Sequence, residues 1–378
     1  MKSRLIVHRF RPDVGGTELM TEGLAEGLVR LGHEVEVVTL RTGKAAARET
    51  VRAGPGAYTV RRLEYLGTRY RLPRRYLRTV REPADAIHVM GNRIWCTDLL
   101  LPFKRWVRSP IVLTAQNFYQ LYMHPSRLND LYFHHYFPWI AGGVAEYVVQ
   151  TDQEGEQIRR FGYRGPMSKI PHAVDAGEFQ REDGLAERFR SRHGLERARV
   201  VLTVGGFIPN KRVDRVVEGI ARSAGGWTLV AIGRDEPGHA ADLAHCRALA
   251  AHHHLPFLAL GTDAPIPREE IVGAMKACDV YAQGSSYEGY GGAVQEGMAA
   301  GRPFIAYRTG AVPEFAAAGG GFCVDTPEEF GASLDRLRED TAQARRMGRA
   351  GVEEVRAHRS FEVVSQAYDR LLRGVAGQ

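Results

Sequence analysis

The sequence predicts an α/β protein built from two doubly wound, Rossmann-like parallel-sheet domains facing a central cleft. Three observations carry this. The chain has 378 residues, more than one ordinary core fills at roughly 150–200 residues per domain. Short apolar runs alternate with amphipathic stretches, the pattern of strands joined by helical crossovers. The alternation pauses once, at a charged segment near the middle, and then begins again.

The first unit of this pattern is Leu5–Phe10, a short apolar run broken by Pro12-Asp13-Val14-Gly15-Gly16. Thr17 is expected to cap a helix carrying Leu24, Leu28 and Leu31 on one face, with Gly32 ending it before the strand Val35–Val38. Further strands are expected at Tyr58–Leu63, Ala86–Met90, Ile111–Ala115 and Tyr147–Gln150. The charge-dense segment Gly177–Arg197 reads as a linker region. A second series starts at Val200–Gly206 and continues through Thr228–Gly233, Phe257–Gly261, Asp279–Ala282 and Pro303–Tyr307. Ser360–Arg373 reads as a terminal helix. The domains are therefore expected at 1–175 and 176–358, with 359–378 a helix packing back on the first. The two halves share a pattern but no sequence repeat.

Composition excludes several classes. At 44% hydrophobic, 25% charged and 9% aromatic the chain is globular rather than disordered. No run of about eighteen apolar residues exists to span a bilayer, and the apolar stretch at the N-terminus is too short for a signal peptide. The expected location is the cytoplasm, with peripheral contact at the inner membrane face. Cys96, Cys246, Cys278 and Cys323 form no CxxC pair, so neither a zinc site nor a disulfide framework is indicated. The formal charge is +7, yet only six of the 51 basic residues are lysines. A lysine in this chain is therefore informative where an arginine is not.

The segment richest in chemistry runs from Ser285 to Pro303. It follows an expected strand and opens an expected helix. Gly289, Gly291 and Gly292 let the backbone approach a ligand and leave amides free at a helix N-terminus, a setting that favours a diphosphate. Glu288 and Glu296 stand eight positions apart, about 12 Å if the stretch were helical throughout. That suits two separate ligand contacts better than a glycosidase pair about 5 Å apart. A bare Gly-rich turn would carry little meaning; the two glutamates and the Gly-Met-Ala-Ala-Gly-Arg-Pro continuation give it some. Lys211, in Gly205-Gly206-Phe207-Ile208-Pro209-Asn210-Lys211-Arg212, lies between a strand and a helix bearing Val213, Val216, Val217 and Ile220, where an ammonium can serve a phosphate.

Glu288, Glu296 and the run Met298-Ala299-Ala300-Gly301-Arg302-Pro303 resemble the signature of retaining glycosyltransferase family 4, which has the GT-B fold. Gly310-Ala311-Val312-Pro313-Glu314 resembles that family's following motif. Pro12-x-x-Gly15-Gly16-x-Glu18, Gly32-His33-Glu34-Val35 and Ile170-Pro171-His172-Ala173-Val174-Asp175 match further segments, in order along nearly the whole chain. The resemblance implies a nucleotide-sugar-binding second domain and an acceptor-side first domain. It implies Glu288 at donor-sugar hydroxyls and Glu296 at the nucleotide ribose. Amides of Gly289, Tyr290, Gly291 and Gly292 would lie near the sugar and diphosphate, and Gly15 and Gly16 would form a loop closing on the donor.

Two departures stand out. The family's usual Gly-Arg before the lysine reads Gly205-Gly206 here, so one diphosphate cation is missing; Arg212 or Arg234 could substitute. In Val112–Asn117, Gln116 stands where the family has a histidine; Gln can hydrogen-bond there but cannot carry a proton. Asn117, Arg74 and Arg75 are candidates on the acceptor side. The basic cluster Arg61–Arg81, interleaved with tyrosines, fits an anionic acceptor, an anionic membrane surface or a solvated face; no nucleic-acid motif accompanies it. Leu131–Ile140, aromatic and apolar, is read as core packing in preference to a lipid contact or an acceptor pocket. The expected activity is retaining transfer of a sugar from a nucleotide-diphosphate sugar to a hydroxyl acceptor (a small metabolite, natural product or glycan or lipid carrier), with no metal and no permanently bound cofactor. A nucleotide-sugar isomerase or epimerase, or a non-catalytic nucleotide-sugar-binding protein on the same fold, is the alternative. A nicotinamide-dependent enzyme is disfavoured because no G-x-G-x-x-G follows the first strand.

Overall fold

The computed structural model describes residues 1–13, 15–67, 71–91, 95–114, 126–235 and 240–377. The chain divides into two compact units, Met1–Ala173 with Phe361–Gln378 and Val174–Ser360. Among the described residues no helix is long and apolar enough to cross a membrane.

The strands of the first unit are β1 (Lys2–Val7), β2 (Glu34–Leu40), β3 (Arg48–Ala53), β4 (Gly56–Leu63), the short hairpin β5 (Tyr65–Leu66) and β6 (Leu72–Pro73), β7 (Ala86–Met90), β8 (Ile111–Thr114), β9 (Glu146–Val149) and β10 (Met167–Lys169). Eight of them form one sheet in the order β10-β9-β8-β7-β1-β2-β4-β3. Every pairing is parallel except β3 with β4. β1, β7 and β8 are buried almost end to end, as strands of a parallel sheet covered on both faces are. β3 escapes sequence detection for the opposite reason: an edge strand, it alternates exposed and half-buried polar residues.

The terminal helix, Phe361–Ala376, belongs to this unit. Val364, Tyr368 and Leu372, four positions apart, put one buried stripe into the core that holds Leu24 and Leu28. It crosses the helix Gly16–Arg30 where that helix has no side chains: a Cβ on Gly23 would strike the Phe361 ring, and one on Gly27 the Ser365 hydroxyl. His33 locks the contact, its Nδ1 2.7 Å from Ser3 Oγ and its Nε2 2.6 Å from Asp369 Oδ1.

The second unit is a six-stranded, wholly parallel sheet: β11 (Arg199–Val204), β12 (Trp227–Ile232), β13 (Phe257–Leu260), β14 (Val280–Gln283), β15 (Phe304–Tyr307) and β16 (Gly321–Val324). Its order is β13-β12-β11-β14-β15-β16, the doubly wound arrangement of a Rossmann-type domain. The order reverses between β11 and β14, so the loops leaving their carboxyl ends flank a switch point, where such sheets bind ligands.

Two sequence expectations are corrected. Gly177–Arg197 is no linker. It supplies helices Ala176–Gln180 and Leu185–His193, whose Phe179 and Phe189, with Leu195, are buried in the second unit's core. The charge misleads because it includes working residues: Arg190 donates to the carbonyls of Ala277, Leu195 and Ala198. Thr17 is not a cap; the helix begins at Gly16 with Gly15 at the N-cap and no side-chain hydrogen bond there. The aromatic run agrees with core packing, Phe133, Phe137 and Ile140 being buried while Leu131 and Trp139 stay exposed.

Glu154 gives this unit a pH signature. Burial pushes its carboxyl up to about 8, although it accepts a 2.7 Å hydrogen bond from Gln150 N. The folded state therefore keeps a proton that the unfolded chain, with an ordinary value of 4.5, has released. Stability should fall as pH rises between those values, by at most about 1.4 kcal/mol per unit for this group. E154Q should gain more unfolding free energy over the parent at about pH 8 than at about pH 5, measured by urea unfolding. Equal differences at both would show that Glu154 is ionised throughout.

Candidate functional site

Two loops flank the switch point. The first, residues 205–212 after β11, carries Lys211; its aliphatic stem lies along Gly205, where an added Cβ would sit 3.3 Å from Cδ. The second, residues 284–291 after β14, carries Glu288. They meet backbone to backbone, Ser286 N donating to Asn210 O at 2.8 Å. Gly284 is required here, since a Cβ on it would collide with the Arg212 carbonyl.

That contact brings Lys211 Nζ to 2.7 Å from Glu288 Oε1, joining residues 77 positions apart. Ser285 Oγ donates to the same oxygen at 2.6 Å. Glu288 N donates to Thr309 Oγ1 at 2.8 Å. Both charged side chains are partly exposed, 28% for Lys211 and 14% for Glu288, so the pair is open enough for a ligand to reach.

The following turn leads into the helix Gly292–Ala299. Gly291 is its N-cap, with φ of 103°, in the left-handed region that favours glycine. No side chain caps this end, and Gly289 and Gly292 have nothing within 4 Å of where a Cβ would lie. The amides are thus approachable, as an anion requires. Tyr290 turns the other way. Its ring is buried against Phe315, and its hydroxyl takes a hydrogen bond from Arg359, whose Nε lies 2.9 Å from Glu354 Oε1. Its side chain anchors the turn. Gly310 holds the turn from outside: its φ is 54°, and a Cβ would lie 2.6 Å from Tyr290 O.

Glu296, one helical turn in, pairs with a different cation. Its Oε1 lies 2.8 Å from Arg268 Nη2. Burial raises the Glu296 carboxyl, and Arg268 opposes the rise. The two glutamates therefore occupy separate electrostatic settings.

The remaining sequence candidates fall as follows. Arg212, with φ of 45°, is folded back on Asp214, Nε and Nη2 lying 2.8–3.0 Å from its oxygens. Gly206 precedes Phe207, which is buried and bridges to Asp235. Arg234 is exposed. In the first unit Gly16 has open space where a Cβ would lie, whereas Gly15 rests on the Glu18 carboxylate. Burial lowers the pKa of His172, whose ring hydrogen-bonds to the backbone of Ala173 and Gly16 and so ties two of the motif segments together. Arg74 and Arg75 are exposed. Arg61 and Arg62 are withdrawn from the basic cluster: Arg61 pairs with Glu36 and Glu82, both at 2.8 Å, and Arg62 with Glu49 at 2.7 Å. Gln116 and Asn117 lie outside the described residues. Among the described residues no three His, Cys, Asp or Glu side chains are grouped to hold a metal ion.

Sequence reasoning did not single out Ser285, Thr309 or Arg268. Ser285 could have been found as the serine three positions before Glu288. Thr309 and Arg268 carry no local signal, because only the fold brings them to the glutamates.

Residues 186–354 match the family "Glycosyl transferases group 1", and residues 14–178 match "Glycosyltransferase Family 4". A GDP-mannose:cellobiosyl-diphosphopolyprenol alpha-mannosyltransferase from Komagataeibacter xylinus is 27% identical over 315 residues, 78% of this chain and 72% of that one. A trehalose synthase from Rubrobacter xylanophilus is 40% identical over 89 residues, 24% of this chain and only 21% of its own length. Among solved structures, sucrose-phosphate synthase from Thermosynechococcus elongatus superposes with a TM-score of 0.82 at 20% identity, covering 100% of this chain and 99% of that one. The Anabaena protein HepE, solved with UDP and glucose, superposes at 0.79 with 17% identity, covering 99% and 100%. The chain has the GT-B architecture and is related to these groups, which supports a glycosyltransferase function in general.

Gly310→Ala tests the packing of the turn. A side chain there meets both a left-handed backbone and the Tyr290 carbonyl, so a loss of about 1–3 kcal/mol is expected in urea unfolding. A G310A chain as stable as the parent would show that the turn is loosely held.

Proposed function

We propose, from its relation to these two groups of transferases, that this chain is a retaining glycosyltransferase moving a sugar from a nucleotide-diphosphate sugar to an acceptor hydroxyl. The observation that carries the reading is the Lys211–Glu288 pair beside an uncapped helix N-terminus at the switch point of the second unit. A cation, free amides and a carboxylate are the three groups that a sugar joined to a diphosphate needs.

On this reading Lys211 and the amides of Gly289–Gly292 take the diphosphate, and they stabilise the charge that grows on it as the glycosidic bond breaks. Glu288 accepts from donor-sugar hydroxyls, and Glu296 from the ribose. The lysine that lies on Glu288 without ligand has two roles in sequence. It orients the carboxylate, then turns to the incoming phosphate. Arg212 is spent on Asp214, so Lys211 is the diphosphate cation of this reading, with the helix amides in place of the family's arginine.

The mannosyltransferase relative, by its name, uses GDP-mannose and a diphosphopolyprenol-linked acceptor, so a GDP-sugar and a lipid-linked anionic acceptor are the first to test here. An anionic acceptor or membrane face is also favoured by a groove of about 430 Å³ in the first unit, where Arg78 and Arg81 stand beside Leu77, Phe103, Trp106 and Val107. Trp106 is 60% exposed there.

Lys211→Ala should weaken UDP or GDP binding by roughly 1.5–3 kcal/mol, the worth of one charge-assisted contact, measured by calorimetry. Glu288→Ala should lose at least about a hundredfold in kcat, because the donor sugar is no longer positioned. Its nucleotide affinity should hold or improve, since Lys211 is released. Parental nucleotide affinity in K211A would refute the phosphate assignment. Donor turnover without any acceptor product, in a panel of UDP- and GDP-sugars, would point to an isomerase. R78E/R81E should reduce co-sedimentation with phosphatidylglycerol vesicles and leave nucleotide binding unchanged; undiminished co-sedimentation would count against this face.

A further inference from the structure

Arg268 opens the helix Arg268–Ala277 and lies outside every motif that carries the family resemblance. Its guanidinium nevertheless holds two glutamates from two other helices. Nη2 lies 2.7 Å from Glu178 Oε2 and 2.8 Å from Glu296 Oε1, while Nε donates to Glu178 Oε1 at 3.1 Å. The same group lies 5.3 Å from the centroid of the Phe179 ring, which fixes its plane. Glu178 comes from Ala176–Gln180 and Glu296 from Gly292–Ala299.

The arrangement has a chemical consequence for a diol. Two vicinal hydroxyls donate best to one ionised carboxylate, and a protonated carboxyl loses acceptor capacity. Glu296 is buried, which favours its neutral form, and Glu178 adds a like charge nearby. The phenol of Tyr281, from β14, also lies within electrostatic range. Arg268 is the single cation paired with Glu296 among the described residues, and it takes only one of the two oxygens.

We propose that Arg268 is a positioning residue for nucleotide recognition: it holds Oε1 of Glu296 and leaves Oε2, unpartnered among the described residues, to the ribose hydroxyls of the donor. This rests on the reading of Glu296 as the ribose contact. Without Arg268, burial and the Glu178 charge act unopposed on the Glu296 carboxyl and raise it further, and in its protonated form the nucleotide meets a donor where it needs an acceptor. The sign follows. Binding to such a chain is weak below the raised pKa of Glu296 and recovers as pH rises through it.

The test is calorimetric titration of the full chain with UDP and with GDP from about pH 6 to about pH 9. Wild-type affinity should be nearly flat. R268M should lose affinity about tenfold for each unit below the carboxyl's pKa and recover at high pH. E296Q should be weakened at every pH, and R268M/E296Q should be no weaker than E296Q. A purely structural arginine would lower the melting temperature without creating this pH profile. An R268M profile as flat as wild type, or losses that add in the double variant, would overturn the proposal. E296Q binding with wild-type affinity would instead remove the ribose reading, and the proposal with it. If wild type binds neither nucleotide, the donor assignment fails first. Should R268M not fold, E178Q is read in its place. It removes the competing carboxylate, so with the titration carried down to about pH 4 the fall in affinity on acidification should begin at lower pH than in wild type; a fall at the same pH as wild type would overturn the proposal.

Discussion

The contact of two loop backbones at the switch point of the second unit is the constraint on which the candidate site depends. Ser286 N on Asn210 O, with no Cβ at Gly284, sets the distance between the chain after β11 and the chain after β14. Lys211 and Glu288 are then within a hydrogen bond of each other, and Thr309 and Gly310 close the turn from the next strand's loop. A side chain at either glycine would separate the loops before any ligand arrived. The pair costs little to hold because it is part-exposed and each member has a fixed surround, Ser285 for the carboxylate and Gly205 for the lysine stem.

Charge in this chain is largely spent on itself. Arg4, Arg61 and Glu36 form a network under the first sheet, Arg62 and Glu49 join β4 to β3, and Arg359 ties Tyr290 to Glu354. Each of these arginines satisfies a buried or half-buried carboxylate or hydroxyl that would otherwise carry a desolvation penalty. The net charge of +7 is therefore a poor guide to partners. Among the described residues Arg74, Arg75, Arg78 and Arg81 stay exposed, Arg78 and Arg81 lying beside Phe103 and Trp106.

The fold was legible in the sequence wherever burial is two-sided. β7, β14 and β15 are mainly apolar, as are Leu5–Val7 of β1 and Val200–Leu202 of β11, because such strands are covered on both faces, and their alternation with helices fixes a doubly wound class. Legibility failed where burial is partial or charge is structural. The edge strand β3 looks like a polar loop, and Gly177–Arg197 looks like a linker until its arginine is seen gripping three carbonyls. In the site, the motif residues were legible because loop chemistry is local: glycines in a turn, a lysine at a helix start, carboxylates around a helix N-terminus. Thr309 and Arg268 were not, since each acts from another strand or helix.

By itself, then, the sequence determined the sheet class, the glycines that permit close approach, and the identities of Lys211, Glu288 and Glu296. Those properties are written within a few residues of one another, in periodicity and turn chemistry. The tertiary structure alone decided which charges meet. It set Lys211 on Glu288, withdrew Arg212 to Asp214 and turned the Tyr290 ring inward, and it gave Glu296 to an arginine that no motif names. Pairing is a matter of distance through space, and a linear pattern holds no record of it until the strands take their order.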